Sequence, residues 1–148
     1  MAHWTHQSNV ADVLSLGPRT AGRLLRLGVR TVEQLLAAKP QAVAERLGDS
    51  RFYAETVADW QREARLLIEA PDLPAEAARL LAVAGFSSAQ RVARATPTEL
   101  LATLEQLVEQ LADDPERASW VSQQPRPSVK GVNTWIRCAQ QSLAVRAA

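Results

Sequence analysis

Apolar residues recur along this chain every three or four positions, in runs that Gly and Pro interrupt. This period places apolar side chains on one face of a helix. Two long helices stand out. One is capped by Ser50, runs to about Glu69 and has the apolar stripe Tyr53, Val57, Trp60, Ala64 and Leu67. Ser128 caps the other, with the stripe Val132, Trp135, Ala139 and Leu143. Because Ala and Leu dominate and aromatic residues make up only 5%, the chain is predicted to be all-α.

Shorter helices precede each long one. After a brief helix at Val10–Leu14, Pro18 suits the first position of a helix, where its missing N–H is not needed. Gly28 then ends this helix in a left-handed conformation. Thr31 caps the next helix, and a further proline, Pro40, opens the one after it. The apolar positions expected to face inward on the helix from Pro18 are Ala21, Leu24 and Leu25.

The segment Leu16–Leu47 returns 57 residues later as Leu73–Leu104, with Gly, Pro and apolar positions in the same register. The signature around Trp60 recurs around Trp135 at an offset of 75, so residues were inserted ahead of the second long helix. A fixed register indicates a duplicated supersecondary unit. We therefore predict a flexible N-terminus at 1–9, a first unit at 10–70 and a second at 71–146. A longer Trp-bearing helix closes each unit, and the units pack as one compact body.

Composition and the lack of targeting signals limit which classes of protein the chain can belong to. A chain of 148 residues that is 47% hydrophobic can bury a sizeable core. Its single cysteine, Cys138, excludes a disulfide framework and a multi-cysteine zinc site. His3 and His6 have metal-like spacing but no further histidine to complete a site, so no metal and no cofactor is predicted. No apolar run approaches the roughly 20 residues of a membrane span, which predicts a cytoplasmic protein with no membrane partner.

Charge is balanced overall, at +1, but is unevenly distributed. Residues 95–116 hold six acids and no Lys or Arg, whereas residues 117–148 hold five bases and no acid. Acids at Glu105, Glu109 and Asp113 have the spacing of one exposed helix face. This face is interpreted as a solvated surface or a docking site for a basic partner. The two oppositely charged segments can pair within one molecule or between two.

The segment Leu14–Ala21, followed by Leu24 and by Gly28–Thr31, resembles the helix-hairpin-helix motif. The order of hairpins and Trp helices is similar to an uncharacterised bacterial family, a domain of unknown function with tandem hairpins. The resemblance covers residues 10–143. It implies that backbone N–H groups of a Gly-apolar-Gly hairpin hold a phosphate oxygen at the start of the next helix, where the helix dipole favours anions.

The two hairpins match that motif unequally. In the first, Ser15 replaces the leading glycine, while Leu16 and Gly17 match. In the second, an acid and a proline, Asp72 and Pro74, stand where the glycines belong. Since proline has no N–H and an acid repels phosphate, the second hairpin is predicted not to bind nucleic acid.

Arginines recur at i, i+4, i+7 and i+11 and are predicted to form one stripe along the exposed side of the helix from Pro18, with no acid between Asp12 and Glu33. Such a stripe beside an anion-binding hairpin can follow a phosphate backbone, with affinity that falls as salt rises. The alternative is a solvated helix face that pairs with acids of a neighbouring element. The predicted nucleic-acid-binding residues are Ser15, Leu16, Gly17, Arg19, Thr20, Arg23, Arg26 and Arg30.

No Ser-His-Asp, Cys-His, Walker or paired-carboxylate arrangement is present, so neither catalysis nor a small-molecule substrate is predicted. Two functions remain open. The first is weak, sequence-independent binding of a DNA or RNA backbone. The second is a protein-interaction adaptor, in which degenerate hairpins persist as structure while charged segments dock another protein or a second copy of the chain. Trp120 and Arg126 are the predicted partner contacts.

Overall fold

A computed structural model describes residues 4–14, 16–48, 54–114 and 126–147. The helices of these residues are α1 (Val10–Val13), α2 (Pro18–Arg26), α3 (Val32–Ala37), α4 (Pro40–Leu47), α5 (Ala54–Glu69), α6 (Ala75–Val83), α7 (Ala89–Arg94), α8 (Pro97–Ala112) and α9 (Val129–Ala147). Apart from an isolated bridge between Asn9 and Thr31, this described part contains no β-structure. The all-α prediction is confirmed. None of its helices is both long and apolar enough to cross a membrane.

Local sequence signals begin and end the helices as predicted. A proline occupies the first turn of α2, α4 and α8. Thr31 forms a full capping box at α3, in which its hydroxyl accepts from the N–H of Gln34 and the Gln34 side chain accepts from the N–H of Thr31. After α2 and α6 the chain turns through Gly28 and Gly85, whose φ angles of +86° and +96° lie in the region that L side chains avoid.

The helix boundaries follow the repeat register closely. Helices α2, α3 and α4 begin at residues 18, 32 and 40, and α6, α7 and α8 begin 57 positions later, at 75, 89 and 97. The helix α8 ends at Ala112, well beyond the position that corresponds to the end of α4. This extension contains Glu105 and Glu109, and Asp113 follows it as the C-cap. The rest of the predicted insertion ahead of α9, residues 115–125, lies outside the described residues.

The two long helices organise the packing. Helix α5 packs against α3, α4 and α6, whereas α9 packs against α7 and α8 and also touches α5. Buried apolar side chains from α1 through α9 form one continuous cluster, which includes Leu24, Leu35, Trp60, Leu81, Leu104 and Val132. Burial of this kind contributes about 1.5–3 kcal/mol for each large side chain. The core is thus shared by both halves of the chain.

The predicted apolar stripes face this core. On α5, Val57, Trp60, Ala64 and Leu67 are buried, and Tyr53 and its predicted cap Ser50 lie outside the described residues. On α9, Val132 and Ala139 are buried while Trp135 and Leu143 are half-buried. The prediction for one residue of α2 was wrong.

Leu25 does not face inward as predicted. The residue is 48% exposed, whereas Leu24 is fully buried. Adjacent residues of an α-helix point about 100° apart, so a narrow contact face accepts only one of the two leucines. The short helix α2 therefore leaves an apolar side chain on its surface.

Amide side chains of the two long helices form three hydrogen bonds to short helices distant in sequence. The side chain of Gln61 on α5 donates to the carbonyls of Leu35 and Ala38 at the end of α3. On α9, Gln140 donates to the carbonyl of Ala93 near the end of α7, at 3.2 Å. Long helices in both halves thus use an amide side chain to add a donor to the C-terminal carbonyls of a short helix, where intrahelical donors run out. The carbonyl of Leu35 also accepts from the N–H of Ala38.

The first described residues and the last helix meet at one side of the molecule. The carbonyl oxygens of His6 and Ser8 accept hydrogen bonds from the N–H groups of Glu33 and Val32 at the start of α3. Arg146 donates to the carbonyl of Ile68 at 2.6 Å. A groove of about 800 Å³, here called the terminal groove, lies between these segments and is lined by Trp4, Ile68, Pro71, Ala144, Val145 and Arg146.

Candidate nucleic-acid interface

The start of α2 presents backbone donors without a side-chain cap. Gly17 is the exposed N-cap, with φ −70° and ψ 159°, and it has no side chain to accept from the first turn. Leu16 before it is half-buried, and Ser15 lies outside the described residues. No acidic residue occupies the first turn of α2. This arrangement has the chemistry of an anion site, because first-turn N–H groups have no intrahelical acceptor.

The predicted arginine stripe is only partly on one helix face. Arg19, Arg23 and Arg26 share a face of α2 by their spacing, with Arg19 and Arg26 exposed and Arg23 half-buried. Arg30 is not on this face, because α2 ends at Arg26 and the chain turns at Gly28. The prediction of one continuous helical stripe was therefore wrong at its last member.

Arg30 and Thr20 complete the set of predicted contacts. The exposed Arg30 sits on extended backbone, where its carbonyl accepts from Val10 and its N–H donates to Gln34. Thr20 is half-buried in the first turn of α2. The structure thus places five of the predicted residues on one short helix and its N-cap: Gly17, Arg19, Thr20, Arg23 and Arg26.

The corresponding start of α6 has the same backbone and different chemistry. Pro74 is its N-cap, with φ −62° and ψ 143°, close to the angles of Gly17. The residue two positions later, Glu76, places an acid in the first turn. Each helix start lacks one N–H, that of Pro18 in α2 and that of Pro74 in α6, so the main difference is the negative charge of Glu76, which disfavours phosphate at α6.

A small pocket lies between the end of α2 and the helix α4, and we call it the α2–α4 pocket. It has a volume of about 230 Å³. Apolar side chains form its walls and two cations stand at its rim: Leu27, Val29, Ala38, Val43, Lys39 and Arg46. Sequence reasoning missed this group, because its members come from three separate short segments.

Arg62, outside the candidate interface, is held in ion pairs with two carboxylates. Arg62 on α5 donates to Glu55 at 3.0 Å and to Asp59 at 2.8 Å. The hydrogen bond that Arg62 donates to Glu55 and the charges of both carboxylates raise the pKa of Arg62, against an opposing effect of burial. Two carboxylates thus surround this guanidinium, which makes it a poor contact for phosphate. The acids were not predicted, because α5 was interpreted from its apolar stripe alone.

The charged faces of α8 and α9 are exposed. Glu105, Glu109 and Asp113 on α8, like Lys130 and Arg137 on α9, form no ion pair with any other described residue. Of the two predicted partner contacts, Arg126 is exposed just before α9, and Trp120 lies outside the described residues. Within the described part of the chain, these opposite charges do not neutralise each other.

The sequence matches the model of a family described as "Domain of unknown function (DUF4332)" over residues 14–142. The chain belongs to this family. The DUF4332 match begins at Leu14, ahead of α2, and ends within α9. It therefore includes both the candidate interface and the second half that lacks its chemistry. Neither a curated protein nor a solved structure matches the chain significantly.

Proposed function

We propose that this protein is a non-enzymatic module that binds the backbone of DNA or RNA weakly and without sequence specificity. The binding surface is the start of α2 with Gly17 and the exposed Arg19 and Arg26. The observation that carries the proposal is the difference between two otherwise similar helix starts. The first has glycine, no acid and several arginines, whereas the second has Pro74 and Glu76.

The physical basis is electrostatic. Uncapped N–H groups and the positive end of the helix dipole attract a phosphate oxygen, and exposed guanidinium groups on the same face can contact the flanking phosphates. Each phosphate that a cation neutralises releases counterions. On duplex DNA, each such contact lowers the base-10 logarithm of the binding constant by about 0.9 for a tenfold rise in salt concentration. A few such contacts give binding that is measurable at low salt and weak at high salt.

We further propose that the two halves, 10–70 and 71–146, are tandem helix-hairpin-helix units. The shared register of Gly28 with Gly85, and the coincident starts of α2 with α6 and of α3 with α7, support this proposal. In it, the first unit binds nucleic acid and the second supports it through the shared core.

The test is a fluorescence-anisotropy titration of labelled DNA and RNA, single- and double-stranded, at about 50 and about 200 mM salt. Arg19→Glu with Arg26→Glu should reduce affinity at the lower salt by about tenfold or more, since two attractive contacts become repulsive. The matched control is Lys130→Glu with Arg137→Glu, an equal charge change on α9, which should have a small effect. No binding by the unaltered protein at the lower salt contradicts the proposal.

The alternative, a protein-interaction adaptor, is favoured by one observation. The acids of α8 and the bases of α9 are exposed and form no ion pair within the described part of the chain. Complementary charges of this kind can dock a partner or a second copy. Flat nucleic-acid titrations, together with self-association in sedimentation equilibrium that Glu105→Arg with Glu109→Arg abolishes, would favour this function.

A further inference from the structure

The α2–α4 pocket adjoins the proposed binding surface. Two of its walls, Leu27 and Val29, are chain neighbours of Arg26 and Arg30. The opposite side of the pocket is formed by residues before and within α4, where Lys39 and Arg46 stand. Arg26 and Arg30 are exposed residues next to Leu27 and Val29 in the chain, whereas Lys39 and Arg46 line the pocket itself. Both segments that form this apolar pocket thus carry cations.

The two cations that line this pocket are exposed. Glu45, which precedes Arg46 on α4, accepts a hydrogen bond from the side chain of Gln41 at 3.0 Å. Lys39 and Arg46 form no ion pair with a described residue. The two cations at the rim are therefore available to a bound anion.

The second half of the chain does not have this chemistry. At the offset of 57, Lys39 and Arg46 correspond to Thr96 and Thr103, and Val29 corresponds to Phe86. Phe86 packs against the core, and the guanidinium of Arg91 lies 5.8 Å from the centre of its ring. A bulkier side chain thus replaces a wall of the pocket, and both rim cations are lost, in the same half that has Pro74 and Glu76.

We infer that the α2–α4 pocket is a subsite for one nucleotide of a single-stranded nucleic acid, whose flanking phosphates contact Lys39 and Arg46. This inference rests on the proposed function. A volume of about 230 Å³ is below the roughly 300–1,000 Å³ of a site that encloses a whole ligand, so the pocket receives only a base or a sugar.

The inference specifies the substrate. A base can enter an apolar pocket only when it is unpaired and unstacked, which is easiest in a single strand. The lining side chains apart from the two cations are apolar, so they make no hydrogen bonds to base edges and do not select a sequence. The protein should therefore bind a mixed-sequence single strand more tightly than the corresponding duplex.

Two variants test separately how much the two cations and the open volume of the pocket contribute to binding. Lys39→Glu with Arg46→Glu should weaken binding of a labelled 20-mer single strand by about tenfold and reduce the salt slope by about 1.4, which corresponds to two phosphates at about 0.7 each. Val29→Phe, which copies the second half, should weaken single-strand binding by several-fold without a change in charge. Duplex binding through α2 should change by less than about twofold in both.

The outcomes separate the two proposals. If the unaltered protein binds neither strand form, the proposed function fails. If it binds, but both variants bind the single strand like the unaltered protein, the subsite is wrong and the α2 interface stands. An equal loss in the control Lys130→Glu with Arg137→Glu would show a general charge effect and would also overturn the subsite. Urea denaturation of each variant establishes that it is folded at the titration temperature.

Discussion

The side-chain amide of Gln61 on α5 donates a 2.9 Å hydrogen bond to the carbonyl oxygen of Leu35 in α3, 26 residues earlier in the chain. A second bond of the same length joins Gln61 to the carbonyl of Ala38. The Gln61 side chain is buried, as is Leu35. One residue of the long helix thus completes the hydrogen bonding at the end of a short helix.

Removal of this amide should destabilise the protein substantially. Gln61→Ala leaves the carbonyl of Ala38 without this donor and the carbonyl of Leu35 with only the 3.2 Å bond from the N–H of Ala38. The loss of a donor to a buried polar group costs about 1–3 kcal/mol. We expect the free energy of unfolding to fall by about 2 kcal/mol in urea denaturation.

The comparison is Gln140→Ala on α9. Its single bond to Ala93 is exposed and longer, at 3.2 Å, so water can replace the lost donor. The expected loss is at most about 0.5 kcal/mol. Equal losses in the two variants would show that the hydrogen bonds of Gln61 contribute no more to stability than the exposed bond of Gln140.

The turn after α2 should require glycine. Gly28 has a φ of +86°, a conformation that costs an L residue about 1–2 kcal/mol, so Gly28→Ala should lower the free energy of unfolding by that amount. Thermal and urea denaturation measure the change.

Gly22 in the interior of α2 is the matched control. A Cβ built there meets nothing within 4 Å, and alanine favours a helix over glycine by about 0.5–1 kcal/mol. Gly22→Ala should therefore stabilise the protein. If both alanine variants changed stability in the same direction, the backbone explanation would be wrong.

The thiol of Cys138 should react slowly at neutral pH. Burial raises its pKa most, the negative charge of Asp72 raises it further, and the positive charge of Arg137 opposes both. Because the thiolate is the reactive form, a raised pKa lowers the alkylation rate below that of an exposed cysteine and moves the rise in rate to higher pH.

Two substitutions should move this rate in opposite directions. Asp72→Asn removes a charge that disfavours the thiolate and should speed alkylation by iodoacetamide by about twofold. Arg137→Gln removes a favourable charge and should slow it. Mass spectrometry of the singly modified protein between about pH 7 and pH 9.5 gives the rates. Identical profiles for the two variants would contradict the electrostatic cause.

Much of the fold was predictable because its signals are local. Pro18 and Pro97 begin helices, Gly28 and Gly85 end them, and Thr31 caps one, in each case through the backbone geometry of a few adjacent residues. Such effects do not depend on distant parts of the chain. The positions of the helices therefore agree with the sequence pattern.

Features that depend on distant residues were not predictable. The bonds of Gln61 and the cap that Glu69 supplies to Ala89 join residues 20 or more positions apart. The inward direction assigned to Leu25 failed for a related reason, because the neighbouring helices decide which face of α2 is covered. Sequence periodicity alone does not specify how wide that face is.

In the candidate interface, too, the residues set by local signals were predictable and those set by distant contacts were not. Gly17 and Arg19 were placed correctly because both belong to one helix start, whereas Arg30 was placed on the helix although Gly28 turns the chain before it. Lys39 and Arg46 were missed because the pocket forms only where α4 meets the segment after α2, which sequence spacing does not show. A signal was present, since the repeat register pairs both cations with threonines, Thr96 and Thr103.

The terminal groove has a consequence for the order of assembly during folding. Trp4 and Val145 line the same groove, although almost the whole described chain separates them in sequence. Contacts between such distant residues carry a high entropic cost of loop closure and form late. A nascent chain without α9 therefore keeps the Trp4 and Ile68 side of the groove uncovered. That side is an apolar surface that a chaperone or a protease can recognise until synthesis has passed residue 146.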